Sequence, residues 1–545
     1  MTNIRPPLSA DRGPRRRRTA ALIAGTLIAV ILPDAALAKR EDPPGKHGGL
    51  VEDVRITPAR TTAGTRPAFT GLLAAPAGDA FFAPPTPLPG APGDVIWATR
   101  SPTPCEDLWG ALLGSCTARI PPVRGTNRTV EVWRILYHSL DRAGRPRAAS
   151  AILVADPPTA ATSRIMVSQH GSYGLGDHCG VIESRRGGGF AGIGMAVDSY
   201  LSKGWVVIAP SAPGARAPGV QTSVVSGDAS RSIIDAAWAA HTFTGALPET
   251  VVHGHSVGGM MVTGVGGEAV SYAPQLRIRG LIVNAPAGVS GPLSPVFDAT
   301  RGPTIEKPLD YPAARTKTAT LALIAAYEQA YAPTFRSEEY LTKAGKRVWQ
   351  RIKDMCVDEA VLYVVGHPWE KLFTKTVEHI DTGTMRRLSN VPTWFVVARN
   401  DDTADPLNSY HAYQTLCAAG QPTYLSIVEY THPQTLHVLA ENDTSGLKDW
   451  VNQVAVGNVP DGACTGMQPS LAAWQKYTYN QLALATGMQV PVNANISVAT
   501  SGHCRTKTRR EFVTVTPGGT CSLTITISRG RRTHQTHTQS FTTTP

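Results

Sequence analysis

Short, nearly continuous apolar runs recur along the middle of this chain, separated by stretches whose apolar positions repeat at helical spacing. Residues 132–137 and 151–154 read as strands joined by the turn Asp141-Arg142-Ala143-Gly144. Further runs follow at 164–168, 205–209, 251–252, 281–283, 394–397 and 424–428. A helix is predicted over 232–244, with Ile234, Ala237, Trp238 and His241 on one face. Strands apolar on both faces, alternating with helices, predict an α/β architecture: a mostly parallel sheet covered on each side.

The alternation breaks twice. Residues 287–390 carry helical character without a strong strand, clearest over 318–331 and 338–354. An insertion of that length between two central strands predicts a helical lid over the strand ends. After Cys464 a helix is expected over 469–486. Val, Ile, Thr and Ser then dominate at 495–498, 512–516, 522–528 and 534–541, a small β unit. Residues 39–90, rich in Pro, Gly, Ala and Thr, predict an arm with little regular structure. The expected division is a main domain over 39–465 and a C-terminal helix plus small β domain over 466–545.

The first 38 residues read as a signal peptide. Arg15 to Arg18 precede an apolar stretch at 19–32, and Ala36-Leu37-Ala38 has the small-x-small form of a cleavage site. The apolar stretch falls short of the ~20 residues that span a bilayer, so secretion is expected, with no transmembrane span after cleavage. The arginine run fits the general and the twin-arginine routes alike. Export suits the eight cysteines, Cys105, Cys116, Cys179, Cys356, Cys417, Cys464, Cys504 and Cys521. They lack the close pairs of zinc or redox motifs and are expected to form disulfides. Spacing suggests Cys105–Cys116 and Cys504–Cys521 as local loops, with the middle four joining distant segments.

Charge narrows the partners. The net charge of +11 comes from the ends: residues 1–38 hold six Arg and two Asp, and residues 465–545 hold eight Lys/Arg and one Glu. The main domain is close to neutral, which argues against nucleic acid. The basic tail is a solvated face or a contact to an anionic cell surface.

The chemistry centres on Val251-Val252-His253-Gly254-His255-Ser256-Val257-Gly258-Gly259. A strand leads into Gly-x-Ser-x-Gly and small residues follow, the layout of a sharp strand-to-helix turn that exposes a nucleophilic serine. A glycine-rich chain produces the bare pattern by chance; the strand before it and the partners after it give it weight. A serine hydroxyl needs a base and a group that orients the base. The loop after 394–398 offers Asp401, Asp402 and Asp405, and the loop after 424–430 offers His432 and His437. Asp402 is favoured for its spacing to Pro406. His437 is favoured because it opens a helix leading to Trp450, whereas His432 precedes a proline in mid-loop. The oxyanion needs preorganised donors. Val257 N–H is one; Tyr173, ahead of Ser172, is the other, on the glycine-rich loop after 164–168.

His170-Gly171-x-x-Gly174 before Cys179, Gly254-His255-Ser256-Val257-Gly258, Asp402…Pro406 and His437 followed by Trp450 resemble the secretory lipases of the lipase A type, α/β-hydrolases of fungi and actinobacteria. The resemblance runs from about Pro92 to Cys464. It implies the α/β-hydrolase fold, hydrolysis of fatty-acid esters, a helical lid, and disulfides Cys179–Cys356 and Cys417–Cys464. It also implies Ser256, Asp402 and His437 as nucleophile, acid and base, with Tyr173 at the oxyanion. Two departures stand out: Gly180-Val181 follows Cys179 where the family has Ala-Pro-Ser, and residues 465–545 are extra. The expected activity is a carboxylic ester hydrolase, lipase or esterase, acting on an ester or lipid substrate without metal or organic cofactor. A peptidase or acyltransferase on the same machinery, and a surface-binding protein acting through its tail, are the alternatives.

Overall fold

The computed structural model describes residues 72–100, 131–155, 160–176, 179, 196, 199–216, 220–287, 311–380, 388–398, 401, 403–404, 406–439, 445–464, 476–478, 495–507, 512–515, 520–529 and 532–542. The chain divides into two compact units, Met1–Asp42 and Pro43–Pro545, and every described residue belongs to the second. The expected signal peptide and the expected Cys105–Cys116 pair lie outside the described residues.

Nine strands form one sheet: β1 (Val95–Arg100), β2 (Glu131–Leu140), β3 (Pro146–Ala155), β4 (Arg164–Gln169), β5 (Trp205–Pro210), β6 (Glu249–His255), β7 (Arg277–Asn284), β8 (Thr393–Ala398) and β9 (Thr423–Val428). Their spatial order is β1-β2-β3-β5-β4-β6-β7-β8-β9. The first pairings, through β3–β5, are antiparallel, and those from β5 through β9 are parallel. The exchange of β4 and β5 places β4 beside β6, with Ser168 in register with His253.

Successive strand residues point to opposite faces, so a doubly apolar strand feeds two cores. Val167, Val252, Val283 and Phe395 enter one core with Ile233, Ala237 and Trp238 of α1 (Ser226–Thr244). Their neighbours Met166, Val251, Ile282 and Val396 enter the other, with Trp450, Val451 and Val454 of a helix at Leu447–Ala455. This is the physical basis of the unbroken apolar runs in the sequence. α1 begins six residues before the helix expected from periodicity, and its first turns are buried despite Ser226, Asp228 and Ser230. Arg147 neutralises Asp228 across a 3.0 Å ion pair, which lets that polar turn enter the core.

After β6 come α2 (Val257–Val262) and α3 (Val265–Tyr272). The insertion supplies α4 (Tyr311–Tyr331), α5 (Lys343–Ile352) and α6 (Val357–Val364). It has a core of its own, with Tyr327, Phe335, Tyr340, Trp349 and Phe373, against which Leu175, Val220 and Val224 pack.

The tail has two three-stranded sheets, Lys476–Thr478 with Phe512–Val515 and Cys504–Lys507, and Asn495–Gly502 with Thr520–Arg529 and Arg532–Thr542. The helix expected over 469–486 is contradicted at Lys476–Thr478, a strand paired with Phe512–Val515. Its Tyr-Thr content suits a pleated surface, and pairing overrode the weak helical period. Cys504–Cys521 joins the two sheets, and Cys179–Cys356 and Cys417–Cys464 are also formed.

Candidate active site

Ser256 lies between β6 and α2 with φ 57° and ψ −121°. That backbone is strained for a residue with a side chain, and it persists because the surroundings over-determine it. Ser256 N–H donates to Asn284 O (3.0 Å), while Ser256 O accepts from Met260 N–H and Ala287 N–H. The flanking glycines are obligatory for space. A β-carbon at Gly254 would lie 2.2 Å from Gly258 O, and one at Gly258 would lie 2.5 Å from the carbonyl oxygens of Gln169 and His170. The turn is therefore pressed against the loop after β4.

That loop carries the expected oxyanion donor. A β-carbon at Gly171 would stand 3.1 Å from Ser256 Cβ, so the loop borders Ser256 directly. Tyr173 stacks on His170 with ring centroids 4.5 Å apart. Burial pushes the Tyr173 phenol upward, so it stays protonated, and pushes His170 down to about 4. Val357 N–H donates to Tyr173 O, Leu175 and Gly176 donate to Met355 O, and the disulfide Cys179–Cys356 closes the same junction.

The candidate acid and base arise from two turns. Asp401 follows β8; its Oδ1 accepts from Thr403 N–H (2.8 Å) and Ala404 N–H (2.7 Å). Its Oδ2 accepts from His432 Nδ1 at 2.8 Å, with both side chains almost fully buried. The carboxylate can only accept, so Nδ1 carries the proton and Nε2 is the basic nitrogen. His432 lies beside the serine turn: its ring centroid is 4.7 Å from that of His255, whose Nε2 contacts His432 O at 3.1 Å. Burial, with His432 close by, holds His255 down to about 3, so it is neutral and donates through Nε2–H.

The spacing-based choices fare differently. Asp402 lies outside the described residues, and so does Asp405. His437 is exposed, and its ring meets Tyr430 edge-on at 5.9 Å. The structure thus brings together Asp401 and His432, and it turns His437 outward. Pro433 opens a 3-10 helix, Pro433–Leu439. Residues three apart share a face in such a helix, so His432, Thr435 and Val438 are all buried and residue 437 falls on the other side. A proline at the first helical position was the usable sequence signal, since it makes His432 the residue that caps the turn.

A cavity of about 270 Å³ lies elsewhere, at the β8–β9 edge, lined by Trp394, Tyr424, Asp449, Trp450 and Asp461. Neither Ser256, Asp401 nor His432 borders it.

Residues 170–441 match the alpha/beta hydrolase family. No curated protein matches the sequence. Among solved structures, Candida antarctica lipase A in its closed state is similar with a TM-score of 0.51 and 16% identity, over 70% of this chain and 86% of that one. A second structure of that lipase gives 0.50 and 17% over the same shares. A Legionella pneumophila hydrolase gives 0.50 and 13%, over 66% of this chain and 98% of that one. Family match, sheet order and the serine turn agree, and the chain has the α/β-hydrolase fold.

Proposed function

We propose that the protein is a secreted serine hydrolase that cleaves carboxylic esters, lipid esters among them, through Ser256, His432 and Asp401. This moves the base from His437 to His432 and the acid from Asp402 to Asp401. The observation that carries the reading is the buried 2.8 Å contact between Asp401 and His432 beside the strained serine turn. Ser256 Oγ attacks the ester carbonyl as its proton passes to His432 Nε2. Asp401 holds the ring by its Nδ1–H and stabilises the imidazolium. Val257 N–H and Tyr173 N–H stabilise the oxyanion. His432 then protonates the departing alcohol, and water releases the acid from the acyl-enzyme. The insertion with α4 to α6 serves as the lid. Three disulfides support export to an oxidising compartment.

The deciding experiment compares Ser256→Ala, His432→Ala, Asp401→Asn and His437→Ala on p-nitrophenyl esters of short and long chain, with aminoacyl-anilides alongside. The first two should lose on the order of 10³–10⁶ in kcat at every chain length, and Asp401→Asn somewhat less. His437→Ala should stay within about threefold, as expected of a residue outside the triad. A dead His437→Ala beside an active His432→Ala would return the base to residue 437. Anilide turnover exceeding ester turnover would make the enzyme a peptidase.

A further inference from the structure

Asn284 ends β7 and meets both halves of the site at once. Its carbonyl accepts the Ser256 N–H at 3.0 Å. Its side-chain Nδ2 donates to Thr435 O at 3.1 Å and lies 3.4 Å from His253 Nε2. The amide orientation is fixed, because Thr435 O can only accept. His253 is neutral, pushed down to about 3 by burial, so its Nε2 accepts from Asn284 and its Nδ1–H faces Ser168 Oγ at 3.4 Å. Thr435 in turn donates its hydroxyl to His432 O at 2.7 Å, the oxygen that His255 also engages. One side chain thus joins the nucleophile strand to the turn that carries the base.

The position is a costly one for a polar residue. Asn284 is fully buried, and its Oδ1 has no partner among the described residues. Its neighbours Ile282 and Val283 show that an apolar residue suits this strand. An unsatisfied buried acceptor destabilises a fold, so the amide is better explained by what it holds than by stability.

We infer that Asn284 is a positioning residue that sets the distance between Ser256 and His432, its main chain fixing the serine turn and its side chain the Pro433–Leu439 turn. The inference rests on the triad proposed above. In the full chain, Asn284→Asp keeps the shape and loses the donor, Asn284→Ala loses the side chain, and Asn284→Ser restores a hydroxyl donor. Each is assayed for kcat and KM on p-nitrophenyl butyrate, for thermal midpoint, and for labelling by a fluorophosphonate. That probe forms an Oγ–phosphorus bond at the serine and expels fluoride, the proton passing to the base.

Expected are kcat losses of about 10–100-fold for Asn284→Asp and Asn284→Ala with KM within about threefold, a parallel fall in labelling rate, and partial recovery in Asn284→Ser. A lowered thermal midpoint with kcat and labelling unchanged overturns the inference, leaving Asn284 merely structural. Should the Asp and Ala variants not fold, Asn284→Ser decides: a kcat and labelling rate below wild type with KM within about threefold support the inference, and wild-type kcat and labelling overturn it. Wild-type labelling at Ser256 with unimpaired labelling of the variants sinks this inference alone. A wild type that neither hydrolyses esters nor takes the probe at Ser256 sinks the serine-hydrolase reading, and this one with it.

Discussion

Gly258 occupies a place where two carbonyl oxygens leave no room for a side chain. A β-carbon there would meet Gln169 O and His170 O at 2.5 Å, both backbone atoms that cannot rotate away. Gly258→Ala must push the serine turn off the loop after β4. Overpacking of this kind destabilises by about 1–3 kcal/mol. The larger effect should fall on catalysis, since a shift of about 1 Å at the reacting centre costs on the order of 100-fold. Purified Gly258→Ala should therefore fold with a lowered thermal midpoint and lose kcat far out of proportion to it. Wild-type kcat would show that the loop and the serine turn are not rigidly apposed.

At the scale of elements, the loop after β4 is built into the insertion. Gly174 and Cys356 form a β-bridge, Val357 N–H holds Tyr173 O, and Cys179–Cys356 closes the junction across 177 residues of sequence. The root of α6 therefore cannot swing without dragging Tyr173. Replacing both Cys179 and Cys356 by serine should remove about 2–5 kcal/mol of stability. It should also lower kcat about tenfold, because the proposed oxyanion donor Tyr173 would no longer wait preorganised. Replacing Cys504 and Cys521 instead should leave ester hydrolysis within about twofold, since that bridge joins the two tail sheets. Kinetics and thermal melts of the two double variants make the comparison. Equal losses in both would detach the first disulfide from the loop after β4.

For the whole molecule, three histidines in β6 and the loop after β4 are held below their ordinary value: His253 is fully buried, and His170 and His255 are half-buried. Burial keeps His170 down to about 4, and His253 and His255 down to about 3, against an ordinary value of 6.5. The sign follows from linkage. Their folded values are depressed, so the unfolded chain takes up protons first as pH falls below about 6.5. Stability from these groups is full above that pH and is lost progressively as pH falls toward 4 and 3. The thermal midpoint should thus drop between pH 8 and pH 4.5. His253→Gln, which cannot take up a proton, should narrow that drop. An unchanged difference between the two pH values would mean that residue 253 is not held neutral by burial.

The alternation of apolar runs with helices by itself determined a mostly parallel sheet with two cores, because a strand buried on both faces has no polar side to show. The glycines around Ser256 marked the serine turn, because only residues without a side chain fit there. The order of strands placed an aspartate-rich loop after β8 and a loop with two histidines after β9. What only the tertiary structure decided was which residue in each loop turns inward and pairs. Asp401 turns inward because its own carboxylate closes a turn on Thr403 and Ala404. His432 turns inward because Pro433 starts a tight helix in which Thr435 and Val438 share its buried face while His437 faces out. Candidates five residues apart are equivalent in spacing arguments. Only the path of the packed backbone separates them, and that path is fixed by contacts with Asn284 and His255 that are remote in sequence.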